Sequence, residues 1–134
     1  MKIGQVSKKT DLPVQTIRYY ESQDLIKSAG RTGGNFRVYD NKVIDQLEFI
    51  KHCRHLDLSL SDIKRINELR DNPNAICEEV NELITDQIRL VTIKMKELRN
   101  LKSQLQMLTD SCSDNQKVGD CGIIKSLQEC DCKE

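Results

Sequence analysis

Thr16-Ile17-Arg18-Tyr19-Tyr20-Glu21, followed after nine intervening residues by Arg31-Thr32-Gly33-Gly34-Asn35-Phe36-Arg37-Val38-Tyr39, decides how this 134-residue chain folds. The first stretch belongs to a helical run from Val14 to Gln23. Ahead of it, Ile3 to Lys9 carries apolar residues at 3 and 6, and Leu12 follows in a turn where Asp11 and Pro13 break the register. Two short helices joined by a tight polar turn read as a helix-turn-helix. Ile17 must face inward with Val6 and Leu12. That leaves Thr16, Arg18, Tyr19 and Tyr20 on the outer and flanking faces, a set of hydroxyls and a guanidinium suited to phosphates and base edges. After Leu25 and Ile26 close the unit, Gly33, Gly34 and Asn35 are expected to take positive φ in a hairpin turn. Phe36 and Val38 then alternate with Arg37 and Tyr39 as in a strand. A basic ribbon beside a helix-turn-helix is a wing; the alternative is an ordinary surface hairpin.

Downstream, Asp40 caps a third helix running to about His55, with Val43, Leu47 and Ile50 inward. A fourth starts at Ser59 or Ser61, carries Leu60, Ile63, Ile66 and Leu69, and stops before Asn72-Pro73. Residues 1–72 thus form a winged helix-turn-helix domain. No glycine occurs between Gly34 and Gly119, and Pro73 alone interrupts that interval, so it should be almost wholly helical. From about 75 to 109, positions 80, 84, 87, 91, 94, 98, 101, 105 and 108 read Val, Ile, Gln, Val, Lys, Leu, Leu, Leu, Leu, a coiled-coil seam. Such a helix is about 50 Å long at 1.5 Å per residue. All five aromatics fall in the first 49 residues, so no globular partner remains to cover the stripe, and a two-fold homodimer is expected. The fold class is mainly α: residues 1–72 bind DNA, 73–110 form an antiparallel dimerisation helix, and 111–134 form a metal-binding loop and tail.

Charge and cysteine usage narrow the chemistry. Lys plus Arg equal Asp plus Glu at 21 each, yet residues 1–70 carry a net +4 and residues 71–134 a net −4. The front can meet a polyanion and the back a cation. No run approaches a membrane span and no export signal opens the chain, so a cytoplasmic protein with no membrane partner is expected. No nucleophile with a base, phosphate loop or acid pair appears, which argues against an enzyme. Six cysteines in a reducing compartment point to metal or redox work rather than a disulfide scaffold.

Cys112 and Cys121 flank an eight-residue loop that turns at Gly119 and Gly122, and two thiolates brought together there suit a soft cation. Cys77 lies at the far end of the long helix and cannot reach them within one chain. If two such helices run antiparallel about a two-fold axis, Cys77 of one subunit meets Cys112 and Cys121 of the other, giving two sites per dimer. Cys77 also sits four residues past Pro73, at the hinge below the winged domain. Three thiolates select Cu(I), Zn, Cd, Hg or Pb over Mg or Ca. Both histidines, His52 and His55, lie in the third helix, so the loop offers no imidazole. Cys53 is expected in the core. Cys130 and Cys132 form a freer terminal pair.

The opening Met1-Lys2-Ile3-Gly4, Thr16 to Glu21, the Gly34-Asn35-Phe36-Arg37-Val38-Tyr39 wing and the long helix with a cysteine at each end resemble the MerR family of metal-responsive transcriptional regulators. Phe49-Ile50-Lys51-His52-Cys53-Arg54 through Leu58, the three cysteines and the Cys-x-Cys tail are most similar to its lead- and cadmium-responsive branch. The resemblance implies a dimer on a palindrome of double-stranded promoter DNA, between hexamers spaced too far apart for RNA polymerase. Metal-free, it represses; metal-bound, it bends and untwists the same DNA and activates, a readout by deformation. It implies DNA contacts from Thr16, Arg18, Tyr19, Tyr20, Arg31, Asn35, Arg37, Tyr39 and Arg54, and metal ligation by Cys77, Cys112 and Cys121. Copper-responsive members typically have serine where Cys77 stands. Zinc-responsive members add a cysteine and a histidine in the loop, where this chain has Ser113 and no histidine, and a cadmium-specific relative has a histidine-rich tail that is missing here. Pb(II) or Cd(II) is therefore the expected ligand, ahead of Hg(II) or Zn(II). Two competing readings are a thiol-rich metal buffer or carrier and a redox sensor that joins Cys112 to Cys121.

Overall fold

The computed structural model describes residues 1–34 and 36–129. Helices α1 (Ile3–Thr10) and α2 (Val14–Ser22) form the helix-turn-helix. A two-stranded antiparallel ribbon, β1 (Gly30–Arg31) and β2 (Arg37–Val38), follows, with Gly30 opposite Val38 and Arg31 opposite Arg37. Then come α3 (Asn41–His55), α4 (Leu60–Arg70), α5 (Glu78–Asp110), a 3-10 turn (Val118–Asp120) and α6 (Gly122–Gln128). The described chain divides into two compact units, Met1–Leu83 and Ile84–Glu134.

One core holds the first unit together. Val6, Ile17, Leu47 and Ile63 are wholly buried, and Leu25, Ile26, Val43, Ile50, Cys53, Leu58 and Ile66 pack with them. Leu12 and Leu60 are half-buried against this cluster, as is Leu83 from α5, which extends the unit past residue 72. Ser59 is the cap of α4, its hydroxyl accepting from the Asp62 amide at 3.1 Å. Asp40 occupies the cap position of α3, but its side chain accepts no capping bond.

Several local expectations change. Among the described residues the positive-φ positions are Asp11, Asp24, Asp57 and Gly30, so Gly33 and Gly34 do not take the left-handed turn expected of them, and Asn35 lies outside the described residues. The three aspartates, at φ of 57, 61 and 60°, follow the ends of α1, α2 and α3. Asp is one of the few side chains that tolerate this region. After α2 the amide of Leu25 donates to Tyr20 O and that of Asp24 to Glu21 O; after α3 Leu58 donates to Cys53 O and Asp57 to Arg54 O. Both are Schellman closures that stop a helix without glycine, each bringing a buried leucine back onto the core. The long helix starts at Glu78 rather than 75, because a turn closed by the Ala75 amide on Asn72 O occupies its expected first residues. Cys77 therefore precedes the helix. Arg65 of α4 bridges to its first turn: Nε lies 2.6 Å from Glu79 Oε1, and Nη2 donates to Oε2 at 2.8 Å. Nη1 meets Glu68 at 3.1 Å. No residue of α5 is fully buried, and Ile84, Val91, Leu98, Leu101 and Leu105 of the seam are exposed.

Candidate nucleic-acid interface and thiol pair

In the first unit, polar residues gather along the outer edge of α2. The turn from α2 into the ribbon folds the wing beside α1, and the chain's first residues lock it there. The Met1 amino group donates to Tyr39 O at 2.7 Å, the Tyr39 amide returns a bond to Met1 O at 2.6 Å, and Lys2 bridges to Val38. Between α1, α2 and this ribbon lies an open groove of about 1050 Å³. Lys2, Lys8, Arg18, Arg31 and Arg37 line it, with Gln5, Phe36 and the edge of Tyr39, and no carboxylate is among its lining residues. Five cations line one concavity, and with Arg37 paired to Glu21 the other four still make a local positive field that a chain of zero net charge conceals. Arg37 ion-pairs with Glu21 of α2, which ties the wing to the second helix. On the other flank of α2, Thr16, Tyr19 and Arg54 share a shallow depression with Gln15, Tyr20 and Leu60. Arg54 Nη1 is held there by Leu58 O at 2.6 Å.

The structure thus brings Arg18, Arg31 and Arg37 together on one side of α2 and Thr16, Tyr19 and Arg54 on the other. Asn35 lies outside the described residues. Tyr20 and Tyr39, expected among the DNA contacts, are core side chains, 9% and 1% exposed. Tyr20 stands three residues from Ile17 and shares its inner face. Regular pairing ends at Val38, and Tyr39 then turns inward while Phe36 swings out, so the expected alternation fails. Burial raises the Tyr39 phenol pKa, the Glu21 carboxylate adding to the effect and Arg37 opposing it. Its hydroxyl and Glu21 Oε1 are buried without a hydrogen-bond partner. Sequence reasoning missed Lys2, Gln5 and Lys8, although their spacing of three along the start of α1 was a signal. It also missed the exposed Phe36 ring, over which Lys2 Nζ sits 5.5 Å from the centroid.

The second unit builds a different site. Cys112 follows the last turn of α5 and Cys121 occupies the residue before α6, and their sulfurs lie 3.6 Å apart, both half-buried. Gly122 makes the approach possible. A Cβ there would stand 2.2 Å from Ser111 O, so only glycine lets the start of α6 close on the end of α5. The pair is electrically unequal. Cys112 is pushed up, first by its hydrogen bond to Cys121 and then by desolvation. Cys121 is held below the ordinary thiol value, first by the Ile124 amide, then by Ile123 and Cys112. Two metal–sulfur bonds of about 2.3 Å at a tetrahedral angle separate their sulfurs by about 3.8 Å, so the donor type and spacing fit a soft cation.

Cys77 is exposed and directly precedes α5, and among the described residues no cluster of three His, Cys, Asp or Glu forms within one chain. Cys53 is buried in the core as expected, its thiol pushed up by desolvation, and Cys130 and Cys132 lie outside the described residues. No described helix is long and apolar enough to cross a membrane.

Known proteins resemble this chain in sequence and fold. Residues 1–69 match the MerR HTH family regulatory protein model, and residues 44–108 match the MerR DNA-binding model. The HTH-type transcriptional regulator ZntR homolog of Haemophilus influenzae is 40% identical over 115 residues, 86% of this chain and 85% of that protein. ZntR of Escherichia coli K12 is 31% identical over 130 residues, covering 96% and 92%. The crystal structure of the transcription regulator PbrR691 from Ralstonia metallidurans CH34 in complex with lead(II) superimposes with a TM-score of 0.83 at 45% identity, over 95% of this chain and 98% of that one. With its winged helix-turn-helix, long helix and full-length relatives, this chain belongs to the MerR family of DNA-binding transcriptional regulators.

Proposed function

We propose that the chain is a cytoplasmic soft-metal sensor that acts as a homodimer on promoter DNA, responding to Pb(II) or Cd(II) ahead of Hg(II) or Zn(II). The observation that carries the reading is the Cys112–Cys121 pair, two thiols 3.6 Å apart with no third donor beside them among the described residues of their own chain. A site lacking one thiol and a helix carrying an unused thiol at its other end complement one another across an antiparallel pair. Cys77 of each subunit then completes the site of its partner. The exposed leucines and isoleucines of α5 support that pairing, since a stripe left wet on one chain is stable against a copy of itself. The likeness to PbrR691, crystallised with lead(II), supports the choice of metal.

A bound divalent ion would supply positive charge to three thiolates and a crosslink between subunits. The residues of the chain do the rest. Arg18, Arg31 and Arg37 hold phosphates along the groove, Thr16, Tyr19 and Arg54 hold the flank, and Asn35 is a further DNA contact implied by the family resemblance alone. Tyr20 and Tyr39 keep α2 and the wing at fixed spacing from inside. Cys77 lies two residues before Glu79, which Arg65 grips from α4, so a pull on Cys77 is felt by the reading head. In the metal-free state the dimer holds promoter DNA undistorted and silent; the loaded state bends and untwists it so that RNA polymerase engages. A metal buffer would have no use for the basic groove.

The test mixes a Cys77→Ser subunit with a Cys112→Ser/Cys121→Ser subunit and titrates Cd(II) or Pb(II). The expected result is one intact site in the heterodimer and none in either mutant homodimer. Full binding by the Cys77→Ser homodimer would refute the shared site.

A further inference from the structure

We propose that Cys112 and Cys121 are also an oxidation site, at which a peroxide converts the metal-free pair to an intrachain disulfide. The oxidation needs no metal and no second subunit; only its regulatory consequence rests on the metal-sensor reading.

The argument is geometric. A disulfide requires sulfurs about 2.05 Å apart on backbones within reach. Here they begin at 3.6 Å, so closure asks each side chain to move by under 1 Å, about half of the 1.6 Å difference. Both flanking segments are already in place. The helix of Cys112 has ended, the 3-10 turn Val118–Asp120 delivers Cys121, and Ser111 O sits against Gly122. No other cysteine competes in the same unit among the described residues: Cys53 is buried in the core of the first unit, where Cys77 also lies. In the first step one thiol attacks the peroxide oxygen, the O–O bond breaks, and a sulfenic acid and one water form. In the second, the other thiol displaces hydroxide from that sulfenic acid, its proton leaving as part of a second water. Two thiols lose two electrons, and one peroxide gains them. Oxidant and metal thus compete for the same sulfur lone pairs, and the oxidised dimer keeps its DNA-binding surface but cannot be induced.

The sequence makes the test clean, because trypsin places each of these cysteines on its own peptide: 52–54 carries Cys53, 71–89 Cys77, 103–117 Cys112 and 118–125 Cys121, while Cys130 and Cys132 share 126–133. The full-length, reduced, metal-free protein is treated with a few equivalents of hydrogen peroxide, alkylated, digested without reductant and analysed by mass spectrometry. The expected product joins 103–117 to 118–125 and is lighter by two hydrogen atoms than the separate peptides. Prior loading with Cd(II) should suppress it, and Cys112→Ser should abolish it while Cys77→Ser does not. A product dominated by links from 71–89 or 126–133, by sulfinic or sulfonic acids at Cys112 or Cys121, or by unreacted thiols would overturn the proposal. Failure of the reduced protein to bind Cd(II) would instead count against the sensor reading and leave the crosslink result intact.

Discussion

Replacing Gly122 with alanine tests how the thiol pair is held. The new Cβ would meet Ser111 O at 2.2 Å, the Ser111 carbonyl carbon at 3.1 Å and its Cβ at 3.2 Å. These are backbone and near-backbone atoms, so no flexible side chain can step aside. An ordinary carbon–oxygen contact of about 3.3 Å requires the two segments to part by about 1 Å. Ser111 directly precedes Cys112 and Gly122 directly follows Cys121, so the parting opens the sulfurs from 3.6 Å toward about 4.6 Å. That is the full span of two collinear zinc–sulfur bonds of about 2.3 Å, and a larger soft ion is likewise forced to a wider sulfur–metal–sulfur angle. Overpacking of this kind costs about 1 to 3 kcal/mol, equivalent to metal binding about 5- to 150-fold weaker. The assay is a Cd(II) titration against a competing chelator, read by thiolate-to-metal absorbance in the ultraviolet. Urea unfolding of the first unit and promoter binding by the metal-free protein should match the parent, since the change lies outside Met1–Leu83. Parental Cd(II) affinity in this variant would refute the account of glycine as the closure that sets the pair.

Three further outcomes follow from the geometry. Lys8→Gln or Arg18→Gln in the groove should weaken promoter binding across sequences, and each should lower the slope of log affinity against log salt by about 0.9; an unchanged slope would remove that residue from the phosphate contacts. Iodoacetamide labelling followed on the separate tryptic peptides should favour Cys121 over Cys112. Because the Ile124 and Ile123 amides lower the pKa of Cys121 while that of Cys112 is raised, labelling of Cys112 should fall first as the pH drops from about 9 toward 7; coincident profiles would contradict the inequality. Leu47→Ala, at a wholly buried core position, should cost about 2 to 5 kcal/mol in urea unfolding of the first unit, and a loss under 1 kcal/mol would show the core to be looser than described.

Much of the first unit was legible because short helices around one core obey spacing rules. Val6, Ile17, Val43, Leu47, Ile50 and Ile63 all face inward where periodicity put them. What misled was chemistry overriding geometry. Tyr20 carries a hydroxyl and looks like a contact residue, yet its three-residue spacing from Ile17 makes it core. The wing strands are two residues each, too short for alternation to govern Tyr39, which follows the Met1 backbone inward instead. Glycine scarcity between 34 and 119 predicts an almost wholly helical stretch, and the end of α3 near His55 is legible, but not that Asp57 closes it in the left-handed region that glycine usually occupies. The loop predicts the Cys112–Cys121 approach, whereas in the sequence Gly122 reads only as part of a turn. A close backbone approach leaves no mark in sequence beyond the missing side chain.

The forked grip of Arg65 on Glu79 spans a joint whose covalent path, residues 71–77, is wholly exposed. If the proposed shared site pulls on Cys77, that traction passes through space to α4 as well as along this exposed turn, making the joint a clutch rather than a hinge pin. A clutch made of two solvent-facing charges slips in brine. Lengthening residues 71–77 by a glycine or two should then leave inducibility intact, whereas concentrated salt should disengage it while the loaded thiols remain filled.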